Sequence, residues 1–166
     1  MKQKGFTLIE LLVTMGIIAV LTGMAVFNFN QSRMRARDVQ RKSDLGQMVK
    51  ALEMYKNDTR SFPENPSYPV PDETVMQQEL LDGEYIQAYF VDPKGSDWQN
   101  YRYNTDEGST RNYWLMACLE NTADSTRATA DQCVRFYNGR GEPDQCQCGG
   151  NDNTNYTGAM YVITNP

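Results

Sequence analysis

The stretch FTLIELLVTMGIIAVLTGMAVFNF, from Phe6 to Phe29, contains a single charged residue, Glu10, and no proline. At about 1.5 Å of rise per residue, a helix over this stretch reaches roughly 36 Å, enough to cross a hydrocarbon core of about 30 Å. Its two glycines, Gly16 and Gly23, are tolerable in a membrane helix. Apolar residues cover every face, which argues against the core helix of a small soluble protein. A cleaved secretory signal is also a poor fit. Its apolar stretch is shorter and ends at small residues, whereas this one ends in Phe27-Asn28-Phe29-Asn30 with no Ala-x-Ala site.

The averages over all 166 residues conceal this segment. Mean hydropathy is -0.64, net charge is -5 and pI is about 4.8, the figures of a soluble acidic domain that would repel phosphate. Residues 1–42 carry seven basic and two acidic groups, a net of +5, while residues 43–166 carry nine basic and nineteen acidic groups, a net of -10. No histidine is present, which excludes His-based triads, His general bases and the common His-containing zinc and iron sites.

Glu10 is the informative residue of the apolar run. A carboxylate inside an apolar helix costs on the order of a few kcal/mol, so it has a partner or a function. It follows Phe6 by one helical turn, and Phe6 follows Lys2-Gln3-Lys4-Gly5. A cut between Gly5 and Phe6 would create an amino group able to pair with Glu10 of an adjacent copy. The plainer reading is that Glu10 snorkels at the membrane edge.

Lys4-Gly5-Phe6-Thr7-Leu8-Ile9-Glu10-Leu11-Leu12-Val13 resembles the N-terminal signature of type IV pilins and of the pseudopilins of type II secretion. The resemblance is close over about residues 4–27 and looser to about residue 60. It implies cleavage after Gly5 by a prepilin peptidase, N-methylation of Phe6, and a role for Glu10 in registering subunits in a helical filament. Phe27 stands where many major pilins carry a kink-forming proline, which leans toward a pseudopilin. A count of flanking cations alone places the C-terminal side in the cytoplasm. The resemblance places it outside, and the cysteines downstream agree with export.

From Ser32 to Tyr55, Leu45, Met48, Val49, Leu52 and Tyr55 form one apolar stripe at helical spacing. The spacing predicts that the membrane helix continues to about residue 57 and lays this stripe against a head domain. The basic collar Arg33, Arg35, Arg37, Arg41 and Lys42 has two readings. One is contact with anionic lipid headgroups; the other is pairing with acidic heads of neighbouring subunits. No aromatic residues interleave the collar, so nucleic acid is at most an indirect partner.

After the polar run Asn57–Ser61, the prolines at 63, 66, 69 and 71 predict an extended loop. Asp72 is a candidate cap for a helix over Thr74–Asp82 with Val75, Leu80 and Leu81 as its apolar residues, and Gly83 as its terminator. Asp92-Pro93-Lys94-Gly95 reads as a turn. Tyr101–Tyr103, Tyr113–Leu119, Cys133–Tyr137 and Tyr161–Thr164 read as strands. The expected fold is α+β: a long N-terminal helix, membrane-spanning in its first half, packed on a small antiparallel sheet.

Cys118, Cys133, Cys146 and Cys148 admit three readings. An exported chain favours two disulfides, with Cys146 and Cys148 each pairing outward to Cys118 or Cys133 rather than to each other. A four-cysteine zinc site lacks a second close pair, and a redox pair lacks Cys-x-x-Cys. The three possible connectivities stay open. The resemblance implies a disulfide closing a C-terminal loop. Relatives of the pseudopilin type hold calcium in such a loop, and Asp92, Asp97, Asp144 or Asp152 would be the candidate oxygen ligands. Their spacing fits no fixed loop motif, so they are read as solvated surface acids, and neither metal nor cofactor is expected.

The expected organisation is a leader at 1–5, an assembly helix at 6–31, an amphipathic continuation at 32–57 and an exported head at 58–166. The expected role is a non-enzymatic subunit of a pilus-like filament at the cell surface, serving attachment, twitching or DNA uptake. Its partners would be further copies of itself, the membrane, a prepilin peptidase, an assembly platform and its ATPase. A periplasmic secretion pseudopilin is the near alternative, and a membrane-tethered monomeric binding module the second.

Overall fold

The computed structural model describes residues 5–66, 73–95, 98, 100–106, 109–129, 132, 148 and 158–164. They form two helices, α1 (Leu8–Thr59) and α2 (Thr74–Asp82), and three strands, β1 (Arg102–Asp106), β2 (Ser109–Leu119) and β3 (Ala159–Thr164). The chain divides into two compact units, one ending at Ala36 and one starting at Arg37.

In the first unit, every side chain described from Leu8 to Met24 is exposed. An 18-residue window of α1 has a mean hydropathy of 2.2, and none of it is buried within the chain. Apolar surface left uncovered on this scale calls for lipid or for other chains. The predicted continuation is observed, since α1 runs 52 residues to Thr59. Its end is built by Arg60, which takes a left-handed φ of 67° and donates its N–H to the Lys56 carbonyl at 2.7 Å. The Thr59 hydroxyl holds the same corner, at 2.8 Å from both the Tyr55 and Ser61 carbonyls.

In the second unit, Leu45, Met48, Ala51 and Leu52 of α1 are buried, and Val49 and Tyr55 pack at their edge. The predicted stripe is therefore the buried face. It extends further toward the N-terminus than its apolar residues show, because Asp38 and Arg41 lie on the same helical face and are also buried.

The sheet is antiparallel, in the order β1-β2-β3. Leu115 at its centre pairs with Tyr103 on one side and Ile163 on the other. Side chains alternate between faces along each strand. Tyr103, Tyr113, Leu115, Ala117, Tyr161 and Ile163 join the cluster that contains Leu45, Met48 and Leu52 of α1. Trp114, Met116, Met160 and Val162 form a second cluster with Ala128, whose N–H donates to the Met160 carbonyl at 2.7 Å. β1 starts one residue later than expected from the aromatic pattern. β2 starts four residues earlier, because Ser109–Asn112 is polar and was not legible as strand. Cys133–Tyr137 lies outside the described residues.

The loop after α1 is tied to the sheet through its backbone. The Phe62 N–H donates to the Thr110 carbonyl at 2.9 Å, and the Phe62 ring stands edge-on to Tyr113 at 4.6 Å. The Tyr103 hydroxyl donates to the Pro63 carbonyl at 2.7 Å. Burial pushes the Tyr103 phenol up, and pushes that of Tyr113 up to about 12.

α2 spans the predicted residues, but its buried face is Met76, Gln77 and Leu80, with Val75 and Leu81 only half-buried. Gln77 is buried because its amide clips Phe90, accepting from its N–H at 2.6 Å and donating to its carbonyl at 3.3 Å. The N-cap residue is Glu73, which makes no side-chain cap; its carboxylate accepts from Asn100 at 2.9 Å. Asp72 lies outside the described residues. Gly83 follows the helix as expected, for a different reason. Its φ is -84°, and the left-handed residue is Glu84 at 59°. A Cβ at Gly83 would sit 2.3 Å from the Tyr85 ring, so glycine is needed there for room.

Replacing the fully buried Leu52 with alanine is expected to lower stability by about 2–5 kcal/mol. The exposed Met54→Ala is expected to change it by no more than about 0.5 kcal/mol. Denaturant unfolding of the detergent-solubilised full chain, followed by tryptophan fluorescence, compares the two.

Candidate assembly motif and basic collar

Gly5, Phe6 and Thr7 precede α1 in non-helical backbone, and Phe6 is 85% exposed. Thr7 and Glu10 form a reciprocal cap. The Glu10 carboxylate accepts from the Thr7 N–H at 2.9 Å and from its hydroxyl at 2.7 Å, and the Glu10 N–H points back to the Thr7 hydroxyl at 3.4 Å. This is the capping box expected of Thr-x-x-Glu ahead of an apolar run, a signal the sequence reading passed over in favour of Glu10 alone. Phe6, Ile9, Val13 and Thr14 line a shallow cavity of about 380 Å³ beside the same carboxylate. Glu10 thus has a partner inside its own chain, and its carboxylate remains open to the side. Nothing lies within 4 Å of a Cβ built on Gly5, so packing within the described chain does not require glycine there.

The basic collar is arranged differently from either expectation. Arg37, Arg41 and Lys42 bind carboxylates of their own chain. Arg41 is fully buried. Its Nε and Nη2 grip Asp92 at 2.7 and 2.8 Å, and its Nη1 reaches Asp38 at 2.7 Å and Glu120 at 2.9 Å. Arg37 grips both oxygens of Glu120 at 2.6 and 2.7 Å. Lys94 joins at 3.3 Å from Glu120, and Lys42 holds Asp124 at 2.7 Å. Asp38 also accepts the N–H groups of Glu120 and Asn121, both at 2.9 Å, which caps the end of β2. Trp98 closes the cluster, with the Arg41 guanidinium 5.4 Å and the Lys94 ammonium 4.1 Å from its ring centroid. Its indole N–H donates to the Cys118 carbonyl at 2.8 Å.

Arg41 is therefore unavailable to lipid or to a neighbour, which corrects both readings of the collar for that residue, while Arg37 and Lys42, partly exposed, are engaged by carboxylates of their own chain. Asp92 is likewise no solvated surface acid. It is buried, it gives both oxygens to Arg41, and it closes the predicted turn by accepting the Lys94 N–H at 2.8 Å. Asp97, Asp144 and Asp152 lie outside the described residues. Among the described residues no group of His, Cys, Asp or Glu side chains is placed to hold a metal ion.

Electrostatics follow from this packing. Burial raises the Glu120 carboxyl, but hydrogen bonds from Arg37 and Arg41 outweigh it and hold the group down at about 2. The Lys42 ammonium, helped by Thr126, holds Asp124 at about 2. Burial disfavours the Arg41 charge, yet the hydrogen bonds it donates to Asp92 and Glu120 leave its pKa raised.

Cys118 and Cys148 form a disulfide; Cys133 and Cys146 lie outside the described residues. Gly158 is packed against the bridge. A Cβ there would sit 2.7 Å from the Cys118 sulfur, 2.9 Å from that of Cys148 and 2.5 Å from the Leu119 carbonyl.

Arg41→Ala would leave three carboxylates around an emptied site and is expected to cost about 3–5 kcal/mol of stability in denaturant unfolding. The Glu120 carboxyl sits lower in the folded chain than its ordinary 4.5. Its stabilisation is therefore fully present above about pH 4.5 and is lost as pH falls toward 2. Unfolding measured across that window should decline steeply for the natural chain and less steeply for Glu120→Gln.

The prokaryotic N-terminal methylation motif matches residues 1–26. Type II secretion system core protein G of Klebsiella pneumoniae is 32% identical over 103 residues, covering 59% of this chain and 74% of that protein. The protein of the same name from Vibrio cholerae is 28% identical over 137 residues, covering 76% and 89%. The type IV wide pilus major component PilA4 of Thermus thermophilus is 44% identical over 62 residues, covering 37% of this chain and 47% of its own length. No solved structure gives a significant match. With the motif at its N-terminus, the long apolar helix and a relative aligned over most of its length, the chain belongs to the pilin and pseudopilin family of filament subunits.

Proposed function

We propose that the chain is a structural subunit of a type IV pilus-like filament, assembled by packing of α1 after removal of residues 1–5. The observation that carries this reading is Glu10, an exposed carboxylate one turn into a lipid-length apolar helix and one turn from the Gly5–Phe6 bond. Cleavage there would free the Phe6 amine, the N-methylation site, and a neighbouring copy could present its own amine to Glu10. The open space around Gly5 supports a requirement set by a prepilin peptidase rather than by folding. Burial of the α1 surface against other copies would stabilise the fibre.

In this reading the chain waits in the membrane with its head outside, where the Cys118–Cys148 bridge fits an oxidising compartment. An assembly platform and its ATPase extract it into the filament, and the chain itself catalyses nothing. A secretion pseudopilus is the second reading. It is supported by the protein G relatives, whose similarity extends beyond α1 into the head, whereas the pilus relative aligns over 62 residues.

Glu10→Gln is expected to cut filament yield in sheared surface fractions about tenfold or more while membrane insertion stays intact. Immunolabelled electron microscopy and membrane fractionation read the two quantities, and an unchanged yield would overturn the role of Glu10. Long labelled fibres on natural cells favour a pilus; their absence alongside a working secretion phenotype favours a pseudopilus.

A further inference from the structure

The Cys118–Cys148 bridge and the Arg41 cluster meet at one end of β2. Both cysteines are buried. Cys118 pairs with Met160 of β3, and Leu119 with Ala159. Glu120, the next residue along, carries the contacts to Arg37, Arg41 and Lys94, and its N–H donates to Asp38 at 2.9 Å. Trp98 makes a second link. Its indole N–H donates to the Cys118 carbonyl at 2.8 Å, and its ring lies against Arg41 and Lys94. The covalent bridge and the ion cluster thus share a strand end and an indole.

The packing around the bridge determines what opening it does. Gly158 lies so close that an added Cβ would meet the Cys118 sulfur at 2.7 Å, the Cys148 sulfur at 2.9 Å and the Leu119 carbonyl at 2.5 Å. Two separate thiols fill more space than one bridge, and a close-packed site has no slack to absorb the difference. The groups that must yield are Gly158, which leads into β3, and Cys118 itself. A shift of Cys118 carries away the acceptor of the Trp98 N–H and, two residues on, displaces Glu120. Glu120 holds Arg37 at 2.6 and 2.7 Å and Arg41 at 2.9 Å. Charge-assisted bonds of this length depend on geometry, and around a buried guanidinium their loss is costly.

We propose that the Cys118–Cys148 bridge is a redox lock on the Arg41 cluster. Closing it sets Glu120 and Trp98 in place; opening it leaves the head folded with the cluster loosened. On closing, the two thiols give up two electrons and two protons to the disulfide of a thiol–disulfide oxidant, which is reduced to its dithiol, and one S–S bond forms. Under reducing conditions the junction of α1 with the end of β2 is weak, and it gains its full strength on oxidation. The coupling is reciprocal: whatever loosens the cluster must make the bridge easier to reduce by the same factor. Bridge and cluster both belong to the unit starting at Arg37, so the lock does not depend on the filament reading.

The test is a redox titration of the detergent-solubilised full chain against mixtures of reduced and oxidised dithiothreitol, with Cys118 and Cys148 followed by alkylation and peptide mass spectrometry. Glu120→Gln should make the bridge about tenfold easier to reduce. Trp98→Phe, which keeps a ring but removes the N–H to the Cys118 carbonyl, should do so about fivefold. Leu52→Ala, a core truncation elsewhere on α1, should stay within about twofold. A shift in either of the first two variants that Leu52→Ala does not share supports the lock; no such shift in either overturns it, and the bridge then merely staples a loop. The chain has two tryptophans, so in the Trp114→Phe background Trp98 alone reports. Reduction should move its emission to longer wavelength while far-UV circular dichroism is retained. An unmoved emission, or loss of the circular dichroism signal, would also overturn the proposal. Fibre yield enters none of these readouts, so the filament reading stands or falls separately.

Discussion

The guanidinium of Arg41 must be neutralised where no water reaches it, and the head is organised around that requirement. A buried cation tolerates only an arrangement that supplies carboxylates to its N–H groups. Asp38 comes from the preceding turn of α1, Asp92 from the Asp-Pro turn, and Glu120 from the end of β2. Those three elements therefore have to meet at one point. An apolar side chain at position 41 would accept many packings; a guanidinium accepts few. Asp38 tightens the constraint because its oxygens also take backbone N–H groups at the end of β2, which relates the sheet to the helix it covers.

Much of the fold was legible because its cues are local. The apolar run, the stripe from Leu45 to Tyr55 and the aromatic strands each follow a period that one element imposes on its own residues. What could not be read depends on contacts distant in sequence. Arg41 and Asp92 are ordinary surface residue types, and only a pairing across 51 positions buries them. Gly83 and Gly158 look like turn residues, yet each is glycine because a ring or a disulfide occupies the space of a side chain. At the assembly motif, Gly5, Phe6 and Glu10 stood out by type and position. Thr7 did not, although Thr-x-x-Glu is a local pattern, because the oddity of a charge in an apolar run drew the reading to Glu10 alone.

The internal pairing also changes what the charge counts mean. The +5 and -10 of the two sequence segments suggested a strongly polarised molecule. Arg37, Arg41, Lys42 and Lys94 face Asp38, Asp92, Glu120 and Asp124. Four cations and four anions form a neutral set that contributes little to the outward field. The cations left for other surfaces are fewer than the collar implied.

The buried centre of that set is less sensitive to salt than an exposed ion pair would be. Mobile ions screen charges in contact with water over about 8 Å at physiological ionic strength, but they penetrate poorly to the buried Arg41–Asp92 pair. The head is thus secured at its centre by a buried ion pair and by a covalent bridge, neither of which added salt weakens much, and salt would act chiefly on the partly exposed pairs of Arg37, Lys42 and Lys94.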